Sequence, residues 1–491
     1  MSDKARSYRN TALIAISSVI NIFFSIVKNK FLAIFVGPAG IGSFGILSDF
    51  VTTVSSIGSF GVATSGVQAI AKASTESNDQ VKKTYNTLRY IYTIISLTIV
   101  IGIYFLAPYI SMLLVKNESF TWFIRIASIT IIFKFRSFIQ GNLITGLQRV
   151  GLLAKGTAMQ GFIAMIVGIA LAYFLGVQAV PYLVLSLGMG SWIVTFIQSR
   201  KILKELPNTK QRLPLKQMLP VFLIGISTTW SGLLENIVSI TSKGGIARNF
   251  GQDFVGYYQV AIGFTYTYIS FITQSITNDY YPRLVALVSK GSEEVAKFVN
   301  QQIAISMSLV TPLLFIMLTF SKLFLTLLFS SKFLPANSLI NYTVAGTFIL
   351  VVAWPIGYVF LAHRATKIYI IGELIGNSTL LLLNLLAIWL ANFPLLGLAY
   401  VLHFVIYLAV IVFIFYKKFN GYITKENIRT FVINASVITI IIVAKMLFPP
   451  AITYVLGSVL IALFFYICRN EYIFMFNSVF NKKRGKQLNN N

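Results

Sequence analysis

Apolar runs of bilayer-spanning length recur along almost the whole chain, and that feature leaves few folds open. Roughly 20 apolar residues in a helix rise about 30 Å, the thickness of the hydrocarbon core. Fourteen such runs are expected, at 12–36, 44–71, 88–115, 120–146, 152–176, 178–202, 216–247, 254–284, 298–329, 334–362, 366–391, 394–416, 428–447 and 450–468. They do not alternate apolar with polar residues as barrel strands would, so the expected class is an all-α polytopic membrane protein. Only 11% of the residues are charged and 56% are hydrophobic, against about 25% charged in soluble domains. The longest loops, near 72–87 and 203–215, are too short to hold a catalytic domain.

The net charge of +26 invites a nucleic-acid reading, which the distribution of the charge argues against. Lys and Arg concentrate in alternate loops: Lys72, Lys82, Lys83 and Arg89, then Arg149, then Arg200, Lys201, Lys204, Lys210 and Arg212, and finally the tail Lys482, Lys483, Arg484 and Lys486. The intervening loops hold little beyond Lys116, Arg248 and Lys332. That asymmetry is the positive-inside pattern, and it places both termini in the cytoplasm. Lys4, Arg6 and Arg9 precede the first run as in a signal peptide, but the run continues to Val36 without a small-residue cleavage site, so an uncleaved first helix is expected. One cysteine, Cys468, excludes a disulfide framework, and His363 and His403 lack ligand-spaced partners, so neither a metal nor another cofactor is expected.

A repeat divides the chain. Gly37-Pro38-Ala39-Gly40-Ile41-Gly42-Ser43-Phe44-Gly45-Ile46 is echoed by Gly251-Gln252-Asp253-Phe254-Val255-Gly256-Tyr257-Tyr258-Gln259-Val260, and Ala179–Leu183 by Gly397–Val401. The offsets are 214 and 218 residues and six spans separate each pair, which implies two six-helix lobes related by a pseudo-two-fold axis along the membrane normal. The expected organisation is an N-lobe at 1–203, a cytoplasmic linker at 204–215, a C-lobe at 216–416, two extra helices at 417–468 and a basic cytoplasmic tail at 469–491. The linker, with Pro207 and Pro214, reads most simply as a solvated loop.

Charges inside the spans carry the functional signal, because one at membrane depth costs on the order of 3 kcal/mol and faces a cavity, a partner or water. Ser17, Asn21, Ser25 and Lys28 form one stripe of the first span, and Lys30 lies about 200° round from Lys28. Asp49, Thr53, Ser56 and Ala63 form a stripe of the second, at a depth suited to pairing with either lysine. In the fourth span Arg125, Arg136 and Gln140 share a face, with Lys134, Thr130 and Ser137 opposite. Thr228, Ser231, Glu235, Ser239 and Ser242 line one face of the seventh, and Thr265, Tyr268, Ser275 and Asp279 one face of the eighth, with Arg283 just beyond. Each has a structural reading beside the functional one: Asp49 and Glu235 can be satisfied by a neighbouring lysine or hydroxyl, and Lys322, Lys445 and Arg248 near span ends can snorkel to the interface. Lys134 and Arg136, at mid-span, are hardest to explain structurally. Surplus cations with hydroxyls and amides suit an anionic, sugar-bearing substrate such as a pyrophosphate-linked glycolipid.

The chain resembles the Wzx-type flippases of O-antigen and enterobacterial common antigen, in the polysaccharide transporter branch of the MOP exporter superfamily. The resemblance rests on Lys30-Phe31-Leu32-Ala33-Ile34-Phe35-Val36-Gly37-Pro38-Ala39-Gly40-Ile41-Gly42, on Phe271-Ile272-Thr273 through Tyr281-Pro282-Arg283-Leu284, on Leu327–Phe333 and on Tyr369-Ile370-Ile371-Gly372-Glu373, and it covers about residues 10–415. It implies two lobes that alternate in access around a central cavity, receiving an undecaprenyl-pyrophosphate-linked oligosaccharide at the cytoplasmic leaflet and delivering it to the periplasmic one. The implied setting is the bacterial inner membrane; the implied partners are lipids and the polysaccharide polymerase and chain-length machinery. ATP hydrolysis is not implied, in keeping with the lack of a GxxxxGK[ST] loop. By motif, the resemblance selects Lys30, Arg149, Arg283 and Glu373, whereas periodicity selects Lys28; both lysines are retained, Lys30 first.

The expected cationic set is therefore Lys30, Lys28, Lys134, Arg136, Arg125, Arg149 and Arg283, with Asp49, Glu235, Asp279 and Glu373 as ion-pairing or coupling carboxylates. A drug antiporter of the same superfamily would prefer a carboxylate-rich cavity, and a membrane polymerase or glycosyltransferase would ordinarily need a large extramembrane loop or an acidic cluster.

Overall fold

A computed structural model describes residues 3–469 of the chain; of the basic tail expected at 469–491, only Arg469 falls among them. The side chains of Thr228, Ser231, Tyr268 and Ser275, assigned above to polar stripes, lie outside the described set. In chain order the helices are α1 (Asp3–Phe35), α2 (Gly37–Ser59), α3 (Val62–Glu76), α4 (Asn78–Val115), α5 (Phe120–Gly146), α6 (Val150–Leu175), α7 (Val180–Glu205), α8 (Leu215–Asn249), α9 (Gln252–Val288), α10 (Ser292–Thr319), α11 (Ser321–Leu328), α12 (Asn337–Ala362), α13 (Thr366–Trp389), α14 (Leu395–Phe419), α15 (Lys425–Leu447) and α16 (Pro450–Ile467). Short 3₁₀ turns lie at Gly176–Ala179 and Ser331–Ala336. Every expected run falls on a helix or on a broken pair of helices, and no strand occurs among the described residues. Among the described residues, ten stretches are long and apolar enough to cross a membrane; one of these, Val150–Glu205, holds both α6 and α7. α5, α8 and α9 are absent from the ten. They are the helices carrying Lys134 and Arg136, Glu235 and Asp279.

Three local expectations are corrected. The second run is not one helix: it breaks at Phe60 and Gly61, both left-handed at φ 45° and 72°. The ninth breaks after Thr319, where α11 begins. Gly37–Gly42, left between the first two expected runs, is helical: α2 starts at Gly37 itself, with Pro38 in its first turn, where a missing N–H costs nothing. Only Gly37 makes the reversal, at φ +65°, and its repeat equivalent Gly251, at φ +100°, does the same just before α9.

The remaining glycines permit contact. A Cβ on Gly42 would overlap the Gln252 carbonyl, and a Cβ on Gly256 would overlap the Pro38 carbonyl. These contacts are reciprocal under the 214-residue offset, as they must be if the repeat axis passes between the two segments. Ser43 Oγ donates to Gln252 Oε1 at 3.0 Å across the same contact. The two copies of the motif therefore touch.

The chain groups into two compact units. The first holds the chain up to Val260, with Leu325–Pro335 and Leu380–Phe393; the second holds Ala261–Phe324, Ala336–Thr379 and the described chain from Pro394. Within the first, α1 packs on α6, α5 on α7 and α4, and α8 on α2, α3 and α4. Within the second, α12 packs on α14 and α10, and the C-terminal pair α15 and α16 lies on α10.

That pair is anchored by a cation that the sequence suggested would snorkel. Lys445 Nζ instead donates to Ser321 Oγ at 2.7 Å, the Leu318 carbonyl at 3.1 Å, Asn337 Oδ1 at 3.3 Å and Asn341 Oδ1. Since α15 packs against α10 and α12, this side chain is directed inward, to oxygens freed where α10 ends. Lys445→Met keeps the length and removes the donor to Asn341 Oδ1, with Ser321 Oγ left as a donor for the Leu318 carbonyl or Asn337 Oδ1, a loss of about 2 kcal/mol. The expected result is a lower thermal midpoint of the detergent-solubilised protein; an unchanged midpoint would return Lys445 to an interfacial role.

Candidate functional site

α1 and α5 bring three half-buried cations into the first unit. The stripe of α1 points Lys28 into a cleft of about 180 Å³ lined by Asn21, Ser25, Gln160, Ser186 and Ser191. Its ammonium stands 6.0 Å from the centre of the Phe44 ring. Gly161 lies against Asn21 and Gly168 against the stem of Lys28. The cleft thus sets amides and hydroxyls beside the apolar Phe24, Ala164 and Leu187, and Lys28 is the one cation in its lining. Lys30, two residues on, points elsewhere and donates to the Thr326 carbonyl at 2.8 Å, one residue before the Leu327–Phe333 stretch. Periodicity, and not the motif, identified the lysine that enters a polar cleft.

Lys134 and Arg136 diverge from α5 as their two-residue spacing requires. Lys134 Nζ donates to Thr52 Oγ1 on α2 at 3.1 Å. Arg136 reaches the other way, into a cleft of about 470 Å³ shared with Lys82, Arg89, Lys210 and Arg212. Lys134 lies about 20 Å along α5 from either helix end, beyond the reach of snorkelling. Among the described residues, neither these two nor Lys28 makes an ion pair. Gln140 is turned to α7, accepting from Thr195 Oγ1 at 2.8 Å. Arg125 stacks on Tyr104 at 4.6 Å and donates to its carbonyl at 3.3 Å.

The other expected cations are neutralised locally. Arg149 pairs with Glu205 at 2.8 Å, both side chains more than half exposed. Arg283 pairs with Asp279 one turn back on α9 at 2.9 Å, also in the open. Exposed pairs of this kind contribute at most about 1 kcal/mol. Glu373 accepts from the Tyr407 hydroxyl at 3.1 Å inside the second unit.

Asp49 pairs with neither Lys28 nor Lys30. Its Oδ2 accepts from Lys243 Nζ at 2.7 Å and from Ser239 Oγ at 2.6 Å, both on α8. The Lys243 side chain is only 6% exposed and that of Asp49 20%. Glu235 stands one turn before Ser239 on the same helix, completing a carboxylate–hydroxyl–ammonium line. Next to it, Asn384 donates to Ser242 Oγ at 3.0 Å and to the Tyr258 hydroxyl at 3.2 Å. Lys243 escaped the sequence reading, although its signal was present: it sits four residues after Ser239 and eight after Glu235, continuing the stripe by one more turn. The first unit thus holds two kinds of site. One is a set of cations without an ion-pair partner among the described residues; the other is a buried ion pair with a second carboxylate beside it.

Comparison with known proteins places the fold and the family. The lipid III flippase of Escherichia coli (strain K12) is 22% identical over 387 residues, 77% of this chain and 89% of that protein. The structure of the lipid II flippase MurJ in an inward closed conformation has the same fold, with a TM-score of 0.68 at 15% identity over 95% of this chain and 100% of that one. The inward-facing conformation of a multidrug resistance MATE family transporter of the MOP superfamily follows at TM-score 0.60 and 13% identity, over 81% of this chain and 96% of that one. Residues 31–338, more than half of the chain, match the family model described as polysaccharide biosynthesis protein. The chain belongs to that family.

Proposed function

We propose that this protein is a flippase of the bacterial inner membrane, moving an undecaprenyl-pyrophosphate-linked oligosaccharide from the cytoplasmic to the periplasmic leaflet by alternating access. The observation that carries the reading is the set of half-buried cations Lys28, Lys134 and Arg136, none of them ion-paired among the described residues. A cation held at membrane depth without a carboxylate is costly unless an anion visits it. Family membership and the likeness to the lipid III flippase supply the class of anion. The amide- and hydroxyl-lined cleft beside Lys28 gives the sugar hydrogen-bond partners. The two six-helix lobes, 1–203 and 216–416, are the proposed moving bodies. Asp49, with Lys243 and Glu235, is the proposed coupling element, driven by an ion or by the membrane potential; Asp279 and Glu373 are the candidates in the second unit. Polymerase and chain-length proteins are the proposed partners on the delivery side.

The test is reconstitution into vesicles carrying a fluorescent lipid-linked oligosaccharide, with quenching from outside to report the leaflet. The wild type is expected to equilibrate the lipid without altering it chemically. Lys28→Ala and Lys134→Ala are each expected to slow this about tenfold or more, the effect of removing one hydrogen bond to a charged group, at unchanged abundance. Full rates in both variants would sink the site assignment, and export of a cationic dye in place of the lipid would favour a drug antiporter.

A further inference from the structure

The cleft around Arg136 has a construction that leaflet exchange by itself does not require. Its inner wall is α4, with Lys82, Asn86, Arg89, Tyr90 and Thr93, and its outer wall is the segment 208–212. That segment, expected to be a solvated loop, is fastened to α4. Asn86 Nδ2 donates to the carbonyls of Thr209 at 2.9 Å and Gln211 at 3.3 Å. The Leu213 N–H donates to Thr87 Oγ1 at 2.8 Å. Arg212 lies on the Tyr90 ring at 3.7 Å. Five cations, Lys82, Arg89, Arg136, Lys210 and Arg212, thereby line one cleft, and no carboxylate lines it. The nearby Asp79 is taken by Lys83 at 2.7 Å.

Like charges gathered by a folded strap repel one another, and an anion relieves that repulsion most when it carries several charges of its own. A phosphate-bearing group answers to this lining: arginine forks and lysine point charges bind its oxygens, and amide and hydroxyl groups fill the remainder. From the same end of α4, Tyr90, Ile94, Leu97, Ile101 and Tyr104 run along one face and are all exposed, at the i, i+4, i+7 spacing of a single stripe. A headgroup in the cleft would therefore have its hydrocarbon chain laid along α4. We propose that this strapped cleft is a cytoplasmic-side docking site for a diphosphate-bearing lipid, separate from the Lys28 cleft and occupied before the substrate moves inward. The inference rests on the flippase reading for the identity of the lipid, and on the cleft alone for the chemistry.

The experiment uses the full chain in nanodiscs of zwitterionic phosphatidylcholine, with labelled undecaprenyl diphosphate as probe. Inorganic pyrophosphate and phosphatidylglycerol serve as competitors. The variants are Lys210→Ala with Arg212→Ala, both exposed on the strap, and Arg89→Ala. The wild type is expected to bind the probe with an affinity that falls steeply with salt. Each cation removed should weaken binding about tenfold, and inorganic pyrophosphate should compete less well than the lipid. Wild-type affinity in the double variant would overturn the site. Displacement of the probe by phosphatidylglycerol at equal mole fraction would overturn the assignment to a diphosphate and give the cleft to bulk anionic lipid. Failure of the flippase reading is separately visible: a wild type that binds the probe through this cleft but never changes its leaflet overturns translocation and leaves the site standing.

Discussion

Asp49→Asn is expected to destabilise the protein by about 3–5 kcal/mol, because it leaves the Lys243 ammonium buried without its counter-ion. The Lys243 side chain is 6% exposed, and its ammonium has Asp49 Oδ2 at 2.7 Å as its ion-pair partner. The neutral amide can still accept a hydrogen bond, but it cannot offset the cost of holding a cation away from water. The readout is the thermal midpoint of the detergent-solubilised protein, together with the amount recovered from membranes. Lys243→Met should cost less, since a methionine of similar length fills the space and the carboxylate left behind is more exposed and keeps its bond from Ser239. Combining Asp49→Asn with Lys243→Met removes both charges and should recover most of the stability lost by Asp49→Asn alone. Equal midpoints for wild type and Asp49→Asn would show that the pair contributes nothing. The double variant also separates structure from function: if it folds normally yet does not translocate lipid, the ion pair and the neighbouring Glu235 belong to the coupling machinery.

How much of this was readable from the chain alone depended on whether a feature is local. Helix positions were legible because a run of apolar residues can satisfy its backbone in lipid in only one way. The breaks at Phe60–Gly61 and after Thr319 were not, because each lies inside a longer apolar run, and the short polar or glycine-bearing stretches there, Gly58-Ser59-Phe60-Gly61 and Ser321-Lys322, are equally compatible with a continuous helix. Helical phase separated Lys134 from Arg136, and the structure sends them to Thr52 and to the α4 cleft respectively. It also favoured Lys28 over Lys30, against the motif. Partnerships between helices were out of reach: the choice of Lys243 by Asp49, and of α10 and α12 by Lys445, follows from which helices pack together. The strap illustrates the same limit. Residues 204–215 read as a polar, proline-bearing linker, and only their contacts with Asn86, Thr87 and Tyr90, more than a hundred residues earlier, make 208–212 a wall.

Gly256→Ala is expected to be among the most damaging single-methyl additions in the chain. The new Cβ would overlap the Pro38 carbonyl and come within 3.0 Å of the Pro38 Cα. What it meets is backbone at the start of a helix, which cannot rotate away as a side chain could. Relief requires α2 and α9 to move apart, which also stretches the 3.0 Å bond from Ser43 to Gln252. Overpacking of this kind costs about 1–3 kcal/mol, with more where the obstacle is rigid, and close approach through small residues is a main source of helix association in lipid. Gly42→Ala meets the Gln252 carbonyl in the reciprocal way and should behave alike. Two turns further along α9, Gly263 has nothing within 4 Å of an added Cβ, so Gly263→Ala should be neutral or stabilising by up to about 1 kcal/mol through helix propensity. The same substitution seven residues apart should therefore move the thermal midpoint in opposite directions. Equal effects at positions 256 and 263 would mean that the two copies of the repeat do not meet as described. A loss confined to 256 and its repeat partner 42 would show that the glycines preserved in both halves serve the contact between them, and that Gly37 and Gly251 alone serve the turn.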